Sequence, residues 1–437
     1  MNIIISRREM LRRSAATVAG MWAARHAVGA QTKSPNEKLN IAFIGLGGRG
    51  AANLKTIASY GDNVVALCDV DDERAGKAYV NYPKAKKYYD FRRMLEEMDR
   101  QIDAVVVSTP DHTHASPSVM AMRMGKHCFC EKPLAHNVHE CRLMAKVAAE
   151  KKLVTQLGTH HHAKESHRRI VEIIQSGVIG PVRDAHAMIG GSRGGGERPT
   201  DTPPVPAHLQ WDLWLGPAPY RPYHPDYVPY KWRFWWDFGT GETGNNGVHT
   251  LDIPFWALNL NHPISIEAKG PPVHAETSPT SMTVRYEFAA RGKMPPVTLH
   301  FYHSATPPAA LDEKNLPEWK MAKWKPTVLF VGDKGMLAAD LSNWKLLPES
   351  KFRDFQPTPT IPASVGHHRE WVDACKSGGP TTCNFEYGAA LTEMVLLGNV
   401  AYRAGKKLRW NHVKMKAADC PAADRFIKET YRSGWPL

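Results

Sequence analysis

Three glycines, Gly45, Gly47 and Gly50, constrain the fold more than any other feature, because they have the spacing G-x-G-x-x-G between a strand and a helix. An apolar run with strand character, residues 39–44, leads into them, and a stretch with a helical pattern, residues 51–60, follows. In such a unit the first glycine permits a tight turn, the second lets the backbone approach a pyrophosphate, and the third allows close helix packing. The pattern predicts a dinucleotide-binding turn.

An acid completes this unit. A second apolar run, residues 64–68, ends in Asp69, roughly twenty residues beyond the glycines, as the dinucleotide-binding pattern requires. A carboxylate at this strand end accepts hydrogen bonds from the ribose hydroxyls of adenosine and repels a 2′-phosphate. The sequence therefore favours NAD over NADP as the cofactor. The phosphates are expected at the helix N-terminus, near Gly48 and Arg49, where N–H groups lack partners.

The alternation of strand and helix continues along the chain. Helical patterns cover residues 91–98, 116–124 and 138–151, and apolar strand-like runs cover residues 104–108 and 127–130. This order predicts a doubly wound parallel sheet with right-handed crossovers, and the domain is expected to span residues 39–158.

Polar residues follow two of the predicted strands, in the segments S-T-P-D-H-T-H and E-K-P. Because ligands bind at the carboxyl ends of strands in such sheets, both segments are expected to face the cofactor. Lys132, held between a buried strand and a proline, is not placed like a solvated surface lysine. The residues predicted to contact the cofactor are Gly45, Gly47, Gly48, Arg49, Gly50, Asp69, Ser108, Thr109, Pro110, His112, His114, Glu131 and Lys132.

The formal net charge of +13 is concentrated in part in residues 1–30, which hold five arginines against one acid, Glu9. No block of five or more like charges occurs along the chain, so no nucleic-acid partner is predicted. The segment S-R-R-E-M-L-R resembles a twin-arginine (Tat) export signal, with methionine where phenylalanine is commoner. We therefore expect a signal peptide over residues 1–30, a linker over residues 31–38 and a periplasmic location. A basic N-terminal arm is the alternative.

No membrane partner and no metal are predicted. The apolar run in the leader, residues 14–24, is shorter than the ~20 residues of a membrane helix. Three consecutive histidines, residues 160–162, point alternately to opposite sides of an extended chain, and no cysteine or glutamate cluster completes a site. Of the seven cysteines, Cys128 and Cys130 lack zinc or redox spacing, and most of the seven are expected to be buried thiols.

A glycine- and asparagine-rich segment, residues 239–247, leads to His249. Glycine clusters mark loops, so this histidine is either a structural helix cap or part of the chemistry. Two further helices are predicted near the C-terminus, one ending at Gly378 and a longer amphipathic one over residues 387–405. His367 and His368, on the first of these, are expected to be surface residues.

The glycine turn, Asp69, the segments 109–114 and 131–133, and the G-V-H-x-L-D segment 247–252 together resemble the Gfo/Idh/MocA family. The resemblance implies an N-terminal Rossmann domain that holds NAD and a C-terminal α/β domain, residues 159–437, with a large, mostly antiparallel open sheet. It also implies hydride transfer between a secondary alcohol of a sugar or cyclitol and the nicotinamide, in a homodimer or homotetramer formed through that sheet. The leader is similar to that of an exported branch that carries its cofactor bound.

The resemblance implies roles for individual residues. His249 is expected to accept the proton of the substrate alcohol, and Lys132 to donate to the same oxygen. Asn245 stands where the family commonly has an acid on the same helical face as the histidine. Its Oδ1 is expected to accept a hydrogen bond from His249, and Glu242 is an alternative source of negative charge. The predicted catalytic and substrate-binding residues are Lys132, His160, His161, Trp232, Arg233, Asn245 and His249.

The segment of residues 203–237 is rich in proline and aromatic residues, with two interpretations. It is either a wall of the substrate cleft, since aromatic faces stack on sugars, or a long loop held in place by its own aromatics.

Three functions remain open from the sequence. The first is a NAD-dependent sugar or cyclitol oxidoreductase. The second is a glycoside-cleaving enzyme that oxidises a sugar transiently, eliminates the substituent and reduces the product again. The third is a sugar-binding protein without activity, which the intact Lys132 and His249 disfavour.

Overall fold

The computed structural model describes residues 37–305 and 326–437. The expected signal peptide and nearly all of the expected linker lie outside these residues. The first domain contains a six-stranded sheet whose order is β3-β2-β1-β4-β5-β6, with every pair parallel. Its strands are β1 (Asn40–Ile44), β2 (Asn63–Cys68), β3 (Lys86–Tyr88), β4 (Ala104–Val107), β5 (His127–Cys130) and β6 (Thr155–Leu157).

This strand order confirms the doubly wound fold. The order reverses between β1 and β4, which is where ligands bind in such sheets. The helices between the strands are α1 (Arg49–Ala58), α2 (Asp72–Asn81), α3 (Phe91–Glu97), α4 (Ala115–Arg123) and α5 (Val138–Glu150). Side chains cap three of them: Asp71 and Asp90 accept backbone N–H bonds at the starts of α2 and α3, and Asn137 forms a capping box on α5.

The second sheet has nine strands in the order β13-β12-β11-β7-β10-β9-β8-β14-β15. β7 and β10 are parallel and the other pairs are antiparallel, which confirms a large, mostly antiparallel sheet. β9 alternates buried and partly exposed residues, as expected for a sheet with one face on the core. The strands are β7 (Val182–Ile189), β8 (Ser265–Lys269), β9 (Met282–Phe288), β10 (Val297–His303), β11 (Val328–Gly332), β12 (Gly335–Ala339), β13 (Trp344–Leu347), β14 (Leu408–Asn411) and β15 (Lys416–Ala417).

Among the described residues, five further α-helices follow β6 in the chain: α6 (Glu165–Gln175), α7 (Trp211–Leu215), α8 (Val248–Ala257), α9 (His367–Ser377) and α10 (Phe385–Ala404). Although α9 follows seven of the nine strands of the second sheet in the chain, its Trp371 and Val372 pack into the core of the first domain. The prediction that α10 is amphipathic is wrong, because most of its residues are buried between α5, β8 and α8.

The aromatic segment forms a small core of its own. Trp211, Trp214, Tyr227 and Trp235 pack there with Phe238. All seven cysteines are buried free thiols, as predicted. In the part of the chain that the structure describes, no helix has the length and apolarity needed to cross a bilayer.

Candidate active site

The glycine turn joins β1 to α1 and is closely packed. Gly45 has φ 83°, and a Cβ there would lie 2.6 Å from the Ser108 carbonyl oxygen. A Cβ on Gly50 would lie 2.0 Å from the carbonyl oxygen of Gly45. Any side chain at these positions would displace backbone, so the turn needs glycine for its own closure as well as for a ligand's approach.

Asp69, at the end of β2, supports the same turn. Its carboxylate accepts hydrogen bonds from the backbone N–H of Leu46, at 2.6 Å, and of Asp71, at 3.0 Å. Burial raises the pKa of Asp69 to about 6, although these two hydrogen bonds favour the ionised form. Each carboxylate oxygen has a second lone pair that is available to a ribose hydroxyl.

A cleft of about 680 Å³ extends from the glycine turn to the second domain. Its size is typical of a ligand site. It is lined by most of the predicted site residues, namely Gly45, Gly47, Gly48, Arg49, Asp69, Ser108, Thr109, Pro110, His114, Glu131, Lys132, His160, His161, Trp232, Arg233, Asn245 and His249. The structure therefore brings residues from both domains to one site.

Two predicted cofactor residues do not line this cleft. Gly50 packs against the carbonyl oxygen of Gly45 and keeps the turn closed. The prediction for His112 is wrong: its side chain is buried with ring nitrogens 3.2 Å from the Phe238 carbonyl oxygen and 3.0 Å from that of Trp214. Burial lowers its pKa to about 3. His112 thus joins the aromatic core to the first domain.

Lys132 follows β5 and reaches across the cleft to the second domain. Its Nζ donates to the main-chain oxygen of Asn245 at 2.5 Å and lies 3.2 Å from the Asn245 Oδ1. Burial lowers the pKa of Lys132, and the nearby Glu131 and Asp111 partly oppose this effect. The ammonium therefore gives up its proton more readily than a solvated lysine would.

The predicted hydrogen bond from His249 to Asn245 is absent within the described residues. Residues Thr243–Gly247 form a π-helical turn immediately before α8, so the four-residue α-helical spacing does not hold there. Asn245 binds Lys132 instead. His249 Nδ1 is buried and has no hydrogen-bond partner among the described residues.

His249 belongs to a group of three imidazoles. Its ring centroid lies 5.3 Å from that of His160 and 5.0 Å from that of His161. Burial and neighbouring positive charges lower all three pKa values: to about 3 for His160, to about 4 for His161 and well below the ordinary value for His249. The rings are therefore neutral near pH 7. Among the described residues, no group of three or more His, Cys, Asp or Glu side chains is arranged to hold a metal ion.

Contacts further along α8 fix the helix that carries His249. Asp252 lies 3.0 Å from His162 Nδ1 and accepts a hydrogen bond from the Tyr387 hydroxyl. The His162 ring stacks on Trp256 at 4.0 Å. Asp252, the last residue of the G-V-H-x-L-D segment, thus anchors the helix, and His162 has a structural role.

Glu131 belongs to a network that the sequence did not indicate. Its Oε1 accepts a hydrogen bond from Asn53 Nδ2 at 2.9 Å, and the Asn53 Oδ1 lies 2.9 Å from His368 Nε2. The expectation that His367 and His368 are surface residues is wrong: His367 is buried and His368 stacks on Phe129. Helix α9 therefore supports the acid beside Lys132.

Glu242 neither faces solvent nor partners His249. It is fully buried and forms an ion pair with Arg193 at 2.5 Å, while its Oε2 accepts a hydrogen bond from Asn246 at 2.7 Å. Arg193 thus neutralises the negative charge of Glu242.

Aromatic and cationic groups form the outer wall of the cleft. The Arg233 guanidinium lies 4.2 Å from the ring centre of Trp232 and 4.4 Å from that of Tyr230. Trp214, from the aromatic core, also lines the cleft. Trp214 and Trp232 belong both to the aromatic core and to the cleft wall, so the segment is held by its own aromatics and also lines the cleft.

The fold and the cleft define a class: a two-domain protein whose Rossmann domain presents a dinucleotide site to a second α/β domain. Residues 39–159 match the NAD-binding Rossmann fold of an oxidoreductase family, and residues 168–294 match the C-terminal α/β domain of the same family. The chain belongs to the Gfo/Idh/MocA family of oxidoreductases.

Among similar proteins, inositol 2-dehydrogenase of Salmonella paratyphi B is 30% identical over 146 residues, which cover 32% of this chain and 43% of the relative. Glycosyl hydrolase family 109 protein 1 of Shewanella sp. is 27% identical over 210 residues, or 42% of this chain and 45% of the relative. The matched part therefore spans less than half the length of these relatives. The WlbA dehydrogenase of Bordetella pertussis, solved with NADH and UDP-GlcNAcA, shares the fold with a TM-score of 0.60 at 17% identity, over 86% of this chain and 99% of that one.

Proposed function

We propose that this protein is a NAD-dependent oxidoreductase that transfers hydride between a secondary alcohol of a sugar or cyclitol and the nicotinamide. The observation that carries the proposal is the meeting of Lys132 with the neutral His249, His160 and His161 in the cleft that begins at the glycine turn. A proton donor and a proton acceptor thereby share one end of a dinucleotide site. Inositol 2-dehydrogenase relatives support the substrate class.

The residues present fit a dinucleotide. The turn is closed so tightly that a Cβ at Gly50 would meet backbone at 2.0 Å, and the cleft runs from this turn past Asp69 and Glu131. Asp69 and the N-terminus of α1 would hold the adenosine ribose and the phosphates, and Glu131 the second ribose. When bound, NAD supplies the hydride acceptor or donor.

Lys132 and His249 would handle the proton of the substrate hydroxyl. Because His249 is neutral, its ring has a lone pair free to accept that proton. Lys132 has three N–H donors, and the two contacts to Asn245 leave one for the substrate oxygen. A lowered lysine pKa favours donation back to a carbonyl oxygen when the reaction runs in reverse.

The rest of the cleft suits a polyol. The neutral rings of His160 and His161 each offer a donor and an acceptor to hydroxyl groups. Trp232 and Arg233 also line the cleft and would contact the ring and its substituents.

We also propose export by the Tat pathway to the periplasm and assembly as a homodimer or homotetramer through the nine-stranded sheet. The twin-arginine segment supports the first and the extent of the sheet supports the second. Export of a folded protein to a compartment poor in free NAD would require tightly held cofactor that is recycled in place.

A second candidate is redox-neutral glycoside cleavage, in which transient oxidation makes a substituent labile and the hydride is then returned. The similarity to a glycosyl hydrolase family 109 protein favours it. Asn245 gives Lys132 no negative partner, and a lysine whose pKa is lowered by burial is compatible with a site that works in both directions.

One experiment separates the candidates. The protein is purified, dialysed, checked for nicotinamide absorbance and incubated with sugars, cyclitols and glycosides. Cofactor that stays reduced after one sugar supports the oxidoreductase, whereas released aglycone with unchanged cofactor supports glycoside cleavage. If no dinucleotide binds before or after addition of NAD, both fail. Bound NAD without turnover on any compound would favour a binding protein.

A further inference from the structure

A second cavity, of about 710 Å³, lies apart from the NAD cleft, and no described residue lines both. Its wall is formed by the end of α10 at Arg403, the C-terminal residues 425–431, the loops 217–219 and 273–275, and His136. We call it the C-terminal cavity. Its volume is within the range of small-molecule sites, ~300–1,000 Å³.

Besides His136, three cations line the C-terminal cavity: Arg403, Arg425 and Lys428. None of them forms an ion pair with a carboxylate in the described ranges 37–305 and 326–437. The Arg403 guanidinium is packed between two rings, 4.8 Å from the centre of Trp236 and 4.2 Å from that of Phe426. Burial lowers the pKa of Arg403, and the nearby Glu429 and Asp237 partly oppose this effect.

The acids of the same cavity are already engaged. Asp237 accepts from Arg198 at 2.7 Å and from Arg221 at 2.8 Å. Glu429 pairs with His136 at 3.0 Å, and this pair raises the pKa of His136 to about 9 against the effect of burial.

Glu140 is the remaining acid of the wall. It accepts hydrogen bonds from the Tyr431 hydroxyl at 2.9 Å and from the His136 N–H at 2.9 Å. Burial raises its pKa to about 7, so it carries only part of a negative charge at neutral pH. The unmatched charge of the cavity is therefore positive.

We propose that the C-terminal cavity binds a small organic anion through Arg403, with Arg425 and Lys428 at its side, as a ligand site separate from the NAD cleft. A planar guanidinium with free donors matches a carboxylate or a phosphate in a bidentate geometry. The contacts with Trp236 and Phe426 restrict the position of that guanidinium, which favours a defined geometry for a bound anion. The ligand is an organic molecule that bears one of these two groups.

The test uses the full chain saturated with NAD, so that the pyrophosphate site is filled. Binding of inorganic phosphate, glucuronate and uncharged glucose is measured by calorimetry at constant ionic strength in chloride. Arg403→Met keeps a long apolar side chain between the two rings and removes the charge. Arg100→Met removes an exposed arginine elsewhere and serves as the control.

The proposal predicts binding of phosphate or glucuronate that weakens at least ~10-fold in Arg403→Met and not in Arg100→Met, as expected for loss of a charge-assisted bidentate contact. Binding of phosphate alone would identify a phosphorylated ligand, and binding of glucuronate alone a carboxylated one. Arg425→Met should weaken binding of the same anion. This variant provides the test if Arg403→Met does not fold. No binding beyond that of glucose, or equal binding in every variant, would overturn the proposal.

Discussion

Substitution of Lys132 by methionine tests the centre of the proposed mechanism. Methionine has a similar length and fills the same space, but it has no donor. In the structure the Lys132 ammonium spans the cleft to the Asn245 main-chain oxygen, at 2.5 Å, and to its Oδ1, at 3.2 Å. The substitution removes these contacts and the remaining donor proposed for the substrate oxygen.

The magnitude follows from the role of that donor. Loss of one preorganised donor aimed at a developing oxygen charge costs ~2.7–4 kcal/mol in the transition state, or ~10²–10³-fold in kcat. NAD should stay bound, because the two structural contacts of the ammonium are to Asn245 and not to the glycine turn. KM should change less than kcat, since the donor acts mainly on charge that develops during reaction.

Single-turnover hydride transfer, followed by nicotinamide absorbance in protein with its cofactor bound, measures the effect directly. Lys151→Met is a matched control, because Lys151 is exposed and does not line the cleft. Thermal unfolding of both variants reports any loss of stability. A Lys132→Met protein with bound NAD and the turnover of the unsubstituted chain would refute the role given to Lys132.

Three further changes test other parts of the site. Asn245→Asp places a carboxylate oxygen where Oδ1 now lies, 3.2 Å from the Lys132 ammonium. The added negative charge should raise the lysine pKa and move the alkaline limb of the pH–rate profile to higher pH, and an unmoved limb would contradict it. Gly50→Ala brings a Cβ to 2.0 Å from backbone and should abolish NAD binding that survives dialysis. Gly76→Ala is the control, because a Cβ there meets nothing within 4 Å; it should retain NAD and gain ~1 kcal/mol in unfolding free energy. Because burial raises the pKa of Asp69 to about 6, the ratio of NADP to NAD dissociation constants should be larger above that pH than below it, and Asp69→Asn should remove the difference.

The first domain was predictable because its signals are local. The apolar runs, the glycine turn and the helix caps each lie within a few residues of the element that they specify, and β5 (His127–Cys130) was predicted with its exact bounds. The placement of Lys132 and Asp69 at the cleft followed from the rule that ligands sit at strand ends.

The errors concern contacts between distant segments. His368 reaches Asn53 from 315 residues further along the chain, and no local pattern indicates such a pair. His112 sits in the right segment, but the aromatic core turns its ring away from the cleft. The burial of α10 (Phe385–Ala404) depends on elements of both domains that cover its faces, which a single helix's periodicity does not reveal.

The sequence predicts that Asn245 accepts a hydrogen bond from His249. In the structure it accepts from Lys132 instead. Because the π-helical turn directs the Asn245 oxygens to Lys132, the missing carboxylate affects the lysine first: without a negative partner there, burial lowers the lysine pKa. Burial, and after it the nearby Lys132, lowers the pKa of His249 in the same direction, so its ring is neutral. Lys132 and His249 therefore both bind a proton weakly. Neither of them would strongly retain a proton taken from the substrate. In the proposed mechanism this balance lets the hydroxyl form again when the hydride returns, as the second candidate function requires.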